Sequence, residues 1–546
     1  MPGPGLEQDL TLGAALRRTV ERFPDRIFIR LGEREITFRD ADRQVDRLAS
    51  GLLSLGVKRH DRVALWLPNT PEWVLLAFAC ARIGAMIVTL NTRYKGEETA
   101  YILRQSKARL LIMLDAYWGI DYADLLRAGC PVFSGRSGPL SENPELPHLK
   151  TVVVLAGADL PGSLSVSPLL ASIVPREVLS AAAGAVEVSD SAVAVYTSGT
   201  TGYSKGAVHS HIIIRNCRNI ARALHVEPGD IILGHMPLYH IAGLCTAMIV
   251  CAALGCTYVA VPHWQPDEVA VLIARHKITI FGGIPTHFID LSDSIERLGL
   301  DTSCLKSAWI GGATVTPDVA RRAKDVIGLS ALQSVYGMTE TTSTTVLSRF
   351  EDPIDIVCEN KGIPIGDFEV MVVDPATGVR RPTGVDGEIW VRGYIVMQGY
   401  LDDPEATAQV MSADGWFKTG DLGQFDAAGY LKVTGRLKDM FIVGGSKAYP
   451  AEIERVLQAH PLIRQAVVVG VPHRRMGEIG FAFIQKEPGA HLTTADVLAY
   501  ARQNLADYKV PRHLRFVEEF PLTSTNKIQR FVLAKQAANL VTVEAG

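Results

Sequence analysis

The chain has 546 residues, of which 47% are hydrophobic and 21% are charged, a composition typical of a soluble globular protein with more than one domain. Its 55 basic and 58 acidic residues leave a net charge of −3, which argues against an extended basic surface for nucleic acid or for a membrane. The 8 cysteines form no CxxC pair, and this predicts reduced core thiols rather than a disulfide framework or a zinc site.

The start of the chain and one apolar stretch bear on its compartment. Glu7 and Asp9 lie where a signal peptide would be apolar, so we expect a cytoplasmic protein. Residues 241–261 carry no charge and are long enough to span a bilayer. Because Gly243, Gly255 and Thr257 interrupt this stretch and its end is β-like, we predict a buried helix, a turn and a buried strand, and no membrane span.

The first two-thirds of the chain alternates helical and strand-like segments. Helical periodicity predicts helices over residues 38–55 and 71–83, and short apolar runs predict strands over 62–66, 278–281 and 308–310. Strands that alternate with helices indicate α/β layers with largely parallel sheets.

Beyond residue 385 the pattern changes to short strands punctuated by glycine, predicted over 388–392, 429–433 and 440–443. A compact tail follows, with helices over 451–459 and 494–505 and strands over 465–471 and 481–485. We place the boundary within residues 435–439, which predicts a large N-terminal domain over 1–437 and a small C-terminal domain over 438–546.

The sharpest motif is Tyr196-Thr-Ser-Gly-Thr-Thr-Gly-Tyr-Ser-Lys-Gly206, which follows the apolar run 192–195 and therefore leaves the end of a strand. Its glycines let backbone N–H groups approach a ligand, and its hydroxyls and lysine add donors and one positive charge, as a polyphosphate requires. It is not a Walker A loop, because Gly-x-x-x-x-Gly-Lys-Ser/Thr does not align to it. The candidate phosphate ligands are Thr197, Ser198, Gly199, Thr200, Thr201, Gly202 and Lys205.

This motif resembles the phosphate loop of the adenylate-forming superfamily, which includes acyl-CoA synthetases, adenylation domains of peptide synthetases and beetle luciferases. The resemblance continues in the family's order through residues 236–243, 308–314, 336–340, 419–421, 435–439 and 521–527. It implies an α/β fold in which a large N-terminal domain of layered α/β subdomains plus a β-subdomain precedes a small mobile α+β C-terminal domain. It also implies a carboxylic acid–CoA ligase that uses ATP, Mg²⁺ and coenzyme A.

The resemblance assigns roles residue by residue. It implies that Tyr336 stacks on adenine, that Thr339 meets the α-phosphate and that Glu340 holds Mg²⁺, with Lys438 as the hinge pivot and Lys527 as the catalytic lysine. The remaining implied nucleotide contacts are Gly312, Ala313, Gly337, Asp421 and Arg436, the last two at the ribose. The implied acyl pocket comprises His240, Ala242, Gly243, Ile284, Phe288, Trp309, Gly311 and Met338, and the implied CoA contacts are Gly444 and Gly445.

These roles suit the residue types. Asp421 has two oxygens with which to accept hydrogen bonds from both ribose hydroxyls. Glu340 is a hard oxygen ligand, and Mg²⁺ usually takes one or two carboxylates beside substrate phosphates. Lys527 would offset the charges of the acid's carboxylate and of the α-phosphate as they approach.

Two positions depart from the family pattern. The family's catalytic loop usually has glycine before the lysine, where this chain has Asn526, a residue that tolerates positive φ. Members often carry Gly-Gly-Glu-Asn after the hinge, where this chain reads Gly444-Gly-Ser-Lys447, beside the implied CoA tunnel. The second difference leaves the acceptor open between CoA and a carrier protein.

Pocket residues point to the class of acid. Amino-acid-activating relatives place an aspartate in the segment equivalent to residues 238–241, and this chain has none there. Acetate-specific relatives block the pocket with a tryptophan next to the adenine motif, whereas this chain has Ser334 and Val335 before Tyr336. We therefore expect a bulky aromatic, alicyclic or medium-to-long aliphatic acid without an α-amino group.

Three alternatives to a CoA ligase share most of these motifs. They are a stand-alone adenylation enzyme that loads a carrier protein, a luciferase-like oxygenase, and a catalytically dead nucleotide-binding scaffold. Retention of Lys205, Glu340, Asp421 and Lys527 argues against the scaffold. The expected partners are a small-molecule acid, ATP and CoA, without nucleic acid, and the oligomeric state, monomer or homodimer, is left open.

Overall fold

The structure, a computed structural model, describes residues 10–133, 145–156, 160, 163–197, 204–313, 315–444, 446–522 and 528–544. The predicted site residues outside these ranges are Ser198, Gly199, Thr200, Thr201, Gly202, Gly445 and Lys527, together with Asn526. All 8 cysteines lie within them and are unpaired, as predicted.

The described helices are, in chain order, α1 Leu12–Arg22, α2 Phe38–Ser54, α3 Pro71–Arg82, α4 Gly96–Gln105, α5 Tyr122–Gly129, α6 Val166–Ala171, α7 Arg176–Gly184, α8 Ile213–Ala223, α9 Ile241–Gly243, α10 Ile249–Leu254, α11 Pro266–His276, α12 Pro285–Leu298, α13 Pro317–Asp325, α14 Ile354–Cys358, α15 Pro404–Val410, α16 Pro450–Gln458, α17 Thr494–Asn504 and α18 Arg530–Glu544. Their starts follow the local sequence. The hydroxyl of Thr37 accepts from the N–H of Asp40 to cap α2, and Thr493 caps α17 through the N–H of Asp496.

The described strands are β1 Ile27–Leu31, β2 Arg34–Thr37, β3 Arg62–Trp66, β4 Met86–Thr89, β5 Leu110–Met113, β6 Ala116–Tyr117, β7 Ile120–Asp121, β8 Thr151–Val154, β9 Leu164–Ser165, β10 Ser191–Thr197, β11 Lys205–Ser210, β12 Ile231–Gly234, β13 Thr257–Ala260, β14 Ile280–Gly283, β15 Ser307–Gly311, β16 Ala331–Tyr336, β17 Val346–Leu347, β18 Lys361–Pro364, β19 Glu369–Val373, β20 Gly387–Arg392, β21 Gly399–Tyr400, β22 Phe417–Phe425, β23 Leu431–Arg436, β24 Phe441–Val443, β25 Ser446–Ala448, β26 Ile463–His473, β27 Gly477–Lys486 and β28 His513–Phe516. Their hydrogen bonds define a large sheet, a second sheet and a small C-terminal sheet.

The large sheet has the order β19-β20-β22-β23-β18-β17-β16-β15-β14-β12-β13-β1-β2. From β16 to β1 its strands are parallel. The extension on the other side of β16 is antiparallel, corresponds to the predicted β-subdomain and contains β17, β18, β23, β22, β20 and β19. The second sheet has the order β21-β11-β10-β4-β3-β5-β8-β9, in which β10 through β9 are parallel.

The core of the large domain is layered. One apolar cluster, with helices α1, α2, α3, α8 and α10, lies between the two sheets, and Ile280 and Trp309 of the large sheet belong to it. A second cluster packs α4 and α5 on the outer face of the second sheet, and a third packs α11, α12 and α13 on the outer face of the large sheet. The molecule is therefore α/β, with a small α+β domain built on the third sheet, as predicted.

The uncharged stretch 241–261 lies inside the large domain. It forms α9, a π-helical turn over Leu244–Met248, α10 and β13, and Gly255 ends the helical part with a φ of 81°. The predicted helix, turn and strand are confirmed, and no helix in the described residues is long and apolar enough to cross a membrane.

Strand boundaries differ from the predictions most in the tail. Segments predicted over 465–471 and 481–485 are the centres of β26 and β27, which pair from Ile463 with Lys486 to His473 with Gly477. Pairing with a neighbour extends a strand past its apolar run, because the ladder supplies hydrogen bonds to polar residues as well.

Candidate active site

The predicted site segments leave the carboxyl ends of parallel strands in both sheets. The phosphate loop follows β10 of the second sheet, and the segments that begin near residues 236, 284, 311 and 337 follow β12, β14, β15 and β16 of the large sheet. The two sheets touch here, since the hydroxyl of Thr89 at the end of β4 donates to the carbonyl of Tyr239 at 3.1 Å. Ligands of open α/β sheets bind at such edges.

Thr197 and Lys205 flank the phosphate loop and are register partners in β10 and β11. The hydroxyl of Thr197 donates to the carbonyl of Lys205 at 3.4 Å, so the two ends of the loop are held together. The ammonium of Lys205 lies 5.2 Å from the centre of the Tyr400 ring. The loop is thus anchored on a hairpin that presents one cation.

The segment after β16 forms a tight turn that ends in the 3-10 helix Thr339–Thr341. Gly337 is required there, because a Cβ would lie 2.0 Å from the carbonyl oxygen of Ser343. The carbonyl of Glu340 accepts from the N–H of Met397 at 2.8 Å, and its carboxylate oxygen Oε1 accepts from the hydroxyl of Tyr400 at 2.8 Å. The main chain and one carboxylate oxygen of Glu340 are therefore both held.

His209 of β11 supports the same turn. Its Nε2 lies 2.7 Å from the carbonyl oxygen of Thr339. Burial lowers the pKa of His209 to about 4, so its ring is neutral near pH 7 and must donate to this carbonyl from Nε2.

Asp421, Tyr336 and Arg436 form a second corner of the site. Asp421 of β22 pairs with Arg436 of β23, whose Nε lies 3.1 Å from Oδ1, while the hydroxyl of Tyr336 donates to Oδ2 at 3.1 Å. Burial raises the pKa of the Asp421 carboxyl, and the charge of Arg436 opposes that rise. The structure brings together the three residues that the sequence assigned to adenine and ribose.

A buried glutamate holds the turn that precedes Asp421. Gly420 has a φ of 70°, and its N–H donates to Oε1 of Glu388 at 3.1 Å. The indole N–H of Trp390 donates to Oε2 of Glu388 at 2.8 Å, and the hydroxyl of Thr419 accepts from the N–H of Asp421 at 3.0 Å. Strand β20 therefore orients Asp421 through these neighbours.

The predicted acyl pocket is brought together in part. Gly312 and Ala313 are exposed at the end of β15, and a Cβ on Gly312 would lie 3.3 Å from Cγ2 of Ile284. The indole of Trp309 lies against Gly282, where a Cβ would approach Nε1 to 2.1 Å. Ile284 therefore lies beside Gly312, whereas Trp309 lies beside Gly282 in the cluster between the sheets.

Two other acyl-pocket residues are half-buried on neighbouring segments. Ala242 lies in α9, and the ring of His240, just before α9, is 5.0 Å from that of Tyr239. Met338 packs against the small cluster that contains Met397 and Phe417.

Phe288 corrects the sequence interpretation. Successive residues of a strand point to opposite faces, and on β14 Phe281 faces the outer cluster while Gly282 faces Trp309 between the sheets. Phe288 is 0% exposed and packs against Phe281 with ring centres 4.7 Å apart. It lies on the other face of the sheet from Trp309, so the two side chains do not wall one pocket.

Two glycines of the predicted pocket are required by the packing of the protein itself. A Cβ on Gly243 would lie 2.3 Å from the carbonyl oxygen of Pro237, and one on Gly311 would lie 2.4 Å from Cγ1 of Val335. The protein's own backbone and side chains occupy that space. Gly312 and Ala313, at the end of β15, are instead exposed.

The hinge and CoA segments lie in and after the 3-10 helix Leu437–Asp439. Partial burial and the nearby charge of Arg436 lower the pKa of Lys438. Gly444 turns the chain between β24 and β25 with a φ of 56°, and its N–H donates to the carbonyl of Met476 at 2.8 Å.

Sequence reasoning missed His209, Glu388 and Tyr400. Each lies on a strand between the recognised motifs and reaches the site only because β11, β20 and β21 pair with their neighbours. The only local sequence signal for two of them is the glycine that precedes Glu388 and the glycine that precedes Tyr400. A glycine alone does not identify a functional site.

Known proteins match this chain over nearly its whole length. The family model described as AMP-binding enzyme matches residues 16–401, and the model described as AMP-binding enzyme C-terminal domain matches residues 452–527. The chain is 35% identical over 543 residues to the mitochondrial medium-chain acyl-CoA ligase ACSF2 of Danio rerio, covering 97% of this chain and 88% of that protein. It is 35% identical over 537 residues to a 7a-methyl-1,5-dioxo-octahydro-1H-inden-4-yl propanoyl:CoA ligase of Rhodococcus jostii, covering 97% and 99%.

A solved structure agrees with these relatives. The anthranilate CoA ligase AuaEII in complex with anthranoyl-AMP superposes with a TM-score of 0.84 at 26% identity, covering 100% of both chains. The two sequence relatives and this structure carry CoA ligase in their names, which favours CoA over a carrier protein as the acceptor.

Proposed function

This chain belongs to the AMP-binding enzyme family and is an ATP-dependent, AMP-forming acyl-CoA ligase, and we propose that its acid is bulky, apolar and without an α-amino group. The observation that carries this proposal is the exposed end of β15, where the small residues Gly312 and Ala313 lie and where the apolar side chain of Ile284 stands against Gly312. Residues 236–243, which follow β12 two strands away in the same sheet, contain no carboxylate that would hold an α-ammonium group.

The relatives' names are compatible with such an acid. They specify a medium-chain acyl group, a fused-ring propanoyl group with two oxo substituents, and anthranilate. For this chain we propose the shared class, an acid with an apolar body of several carbons or a ring.

We assign the nucleotide contacts to the two corners of the site. Asp421 would accept from the ribose hydroxyls beside Tyr336, and Lys205 with the phosphate loop would hold the polyphosphate. Lys205 begins β11, Tyr336 ends β16 and Asp421 lies within β22, so strand backbones hold all three residues.

The residues present suit Mg²⁺. Glu340 offers a carboxylate with Oε1 held by Tyr400, while Oε2 has no hydrogen-bond partner within the ranges that the structure describes. Those ranges contain no group of three or more His, Cys, Asp or Glu arranged for a metal, which fits an ion that takes one carboxylate and otherwise phosphate oxygens and water. When bound, the ion would offset charge on the phosphates beside Glu340.

Adenylation then needs one further cation. We assign this role to Lys527, which would lie between the acid's carboxylate and the α-phosphate while one carboxylate oxygen attacks phosphorus and pyrophosphate leaves. In the second step the CoA thiol attacks the acyl carbonyl and AMP leaves. Lysine and thiol approach the same carbonyl, so we propose that the small domain turns about Lys438 between the steps, with Gly444 and Gly445 beside the CoA tunnel.

A panel of acids tests the substrate class. Purified enzyme is incubated with ATP, Mg²⁺, CoA and each acid, and the thioester is identified by mass. Aromatic, alicyclic and medium-to-long aliphatic acids should give thioester, and acetate and α-amino acids should not. A preference for acetate or for an amino acid would overturn the proposal, and exchange of pyrophosphate without thioester would indicate a carrier protein as the acceptor.

A pair of alanine variants sharpens this test. Ala242→Leu adds bulk next to the predicted pocket, and kcat/KM for the bulkiest accepted acid should fall by roughly 10-fold to 200-fold relative to a smaller one. Ala253→Leu enlarges a half-buried alanine in α10 and should leave the order of acids unchanged. Equal shifts in both variants would mean that Ala242 acts through folding and not through the pocket.

A further inference from the structure

Tyr400 connects the two charged groups that the proposed function assigns to the phosphates and to the metal. It lies in β21, which pairs with β11 so that Tyr400 stands opposite Ala207, two residues after Lys205. The ammonium of Lys205 is 5.2 Å from the centre of its ring, and its hydroxyl donates to Oε1 of Glu340 at 2.8 Å.

The ring and the hydroxyl suit these two neighbours. The negative face of an aromatic ring attracts an ammonium within about 6 Å, which restrains Lys205 without cancelling its charge. An ionised carboxylate has only acceptor atoms, so the neutral hydroxyl of Tyr400 is the donor of the hydrogen bond to Glu340.

The geometry at Glu340 leaves one oxygen for a ligand. The N–H of Met397 fixes the main chain of Glu340, and Tyr400 fixes Oε1, so the carboxylate cannot rotate without breaking a hydrogen bond. Oε2 is the oxygen without a partner in the described part of the chain. A neutral donor holds the carboxylate in place and leaves its full charge for a cation.

We propose that Tyr400 is a positioning residue for adenylation, whose hydroxyl orients Glu340 toward Mg²⁺ and whose ring orients Lys205 toward the phosphates. This inference rests on the proposed roles of Glu340 and Lys205. It predicts that Tyr400 affects the metal-dependent half-reaction and not the thioester-forming one, which involves no triphosphate.

Tyr400→Phe removes the hydroxyl and keeps the ring. The Mg²⁺ concentration at half-maximal ATP–pyrophosphate exchange should rise, and kcat for exchange should fall, each on the order of 10-fold, as expected for the loss of a hydrogen bond to a charged group. Thioester formation from presynthesised acyl-adenylate should stay within 2-fold of wild type, about the scatter of such assays. Tyr400→Leu, which also removes the ring, should raise KM for ATP further.

Tyr394→Phe is the matched control. Tyr394 is also half-buried, and its hydroxyl contacts Asn219 rather than Glu340, so its loss should leave the Mg²⁺ dependence unchanged. An unchanged Mg²⁺ dependence in Tyr400→Phe, or equal losses in both half-reactions, would overturn the positioning role. Thermal melting of each variant checks that the fold is retained.

A double-mutant cycle separates this inference from the proposed function. If Tyr400 acts through Glu340, Tyr400→Phe should have little further effect in the Glu340→Gln background. The same fold-loss in both backgrounds would show that the hydroxyl acts independently and would reject the inference. If Glu340→Gln alone leaves the Mg²⁺ dependence intact, Glu340 is not the metal ligand. That single variant therefore tests the proposed function separately from the role of Tyr400.

Discussion

Glu340 in the large domain and Glu454 in the small domain are held by opposite kinds of partner. Glu340 accepts from the neutral hydroxyl of Tyr400, and no ion pair to it occurs among the described residues. Glu454 accepts from both terminal nitrogens of Arg530 at 2.6 and 2.7 Å, and also from the N–H of Val468 at 2.7 Å.

The difference follows from what each carboxylate must do. Glu454 is 4% exposed in the core of the small domain, where an uncompensated charge would be costly, and the guanidinium neutralises it. Glu340 is half-buried at the proposed phosphate site, where a resident cation would compete with the Mg²⁺ that we propose it binds. The small domain therefore neutralises its buried carboxylate by charge pairing, whereas the carboxylate of Glu340 keeps its charge, as the proposed metal role requires.

The largest effect should come from Lys527, the cation that we propose for adenylation. Because this lysine would offset the charges of the acid's carboxylate and of the α-phosphate, Lys527→Ala should lower acid-dependent ATP–pyrophosphate exchange by roughly 10³-fold or more. Thioester formation from presynthesised acyl-adenylate should persist. Lys535→Ala, at an exposed lysine of α18, is the control, and wild-type exchange in Lys527→Ala would remove that lysine from the site.

Removing Arg530 from its pair with Glu454 tests whether this pair stabilises the small domain. Arg530→Met leaves the Glu454 carboxylate buried without its partner, which should lower the free energy of unfolding of the small domain by about 3–5 kcal/mol. Amide hydrogen exchange of β26 in the full chain measures this loss. The double variant Glu454→Gln with Arg530→Met should recover much of it, and a single variant as stable as the double would show that the pair is not coupled.

Glu340→Gln tests whether the charge of Glu340 serves the reaction rather than the fold. It keeps the shape and removes the charge, so ATP-driven turnover should fall on the order of 10²–10³-fold, as for other single electrostatic groups, while the melting temperature stays near that of wild type. Glu405→Gln changes an exposed glutamate of α15 and serves as control. Turnover that remains unchanged at every Mg²⁺ concentration would place the metal elsewhere.

The smallest effect concerns the neutral donor His209. Its pKa is lowered from 6.5 to about 4 by burial, so the unfolded chain binds a proton at a higher pH than the folded one. The stability that the neutral His209 contributes is fully present above about pH 6.5 and is lost as the pH falls toward 4. Between pH 7.5 and 5.5 the free energy of unfolding should fall by roughly 1 kcal/mol because of this one histidine.

Urea unfolding at several pH values measures this dependence. His209→Gln keeps an amide donor near Thr339 and should reduce the loss of stability on acidification by about that amount. His491→Gln, at an exposed histidine, is the control and should retain the wild-type pH dependence. An identical pH dependence in both variants would mean that His209 is not protonated on unfolding in this range.

The sequence by itself determined the α/β fold class and supplied the candidate residues of the site. Periodicity identified α2, β3 and α3 to within a residue, because their apolar faces are buried whatever their neighbours are. It also showed that residues 241–261 form a broken segment, since Gly255 supplies the positive φ that ends a helix. The family resemblance proposed Glu340 and Asp421 as site residues, and the chemistry of their carboxylates suits the proposed roles.

Only the tertiary structure decided which neighbours support those groups and which face each side chain uses. Tyr400 reaches Glu340 across 60 positions of sequence and His209 reaches Thr339 across 130, through the pairing of β11 with β21 and the contact of the two sheets. Phe288 follows β14 like Ile284 but packs on the opposite face of the sheet from Trp309, because α12 packs on the outer face. Register and sheet contact arise from the packing of distant strands, so motif order alone does not contain them.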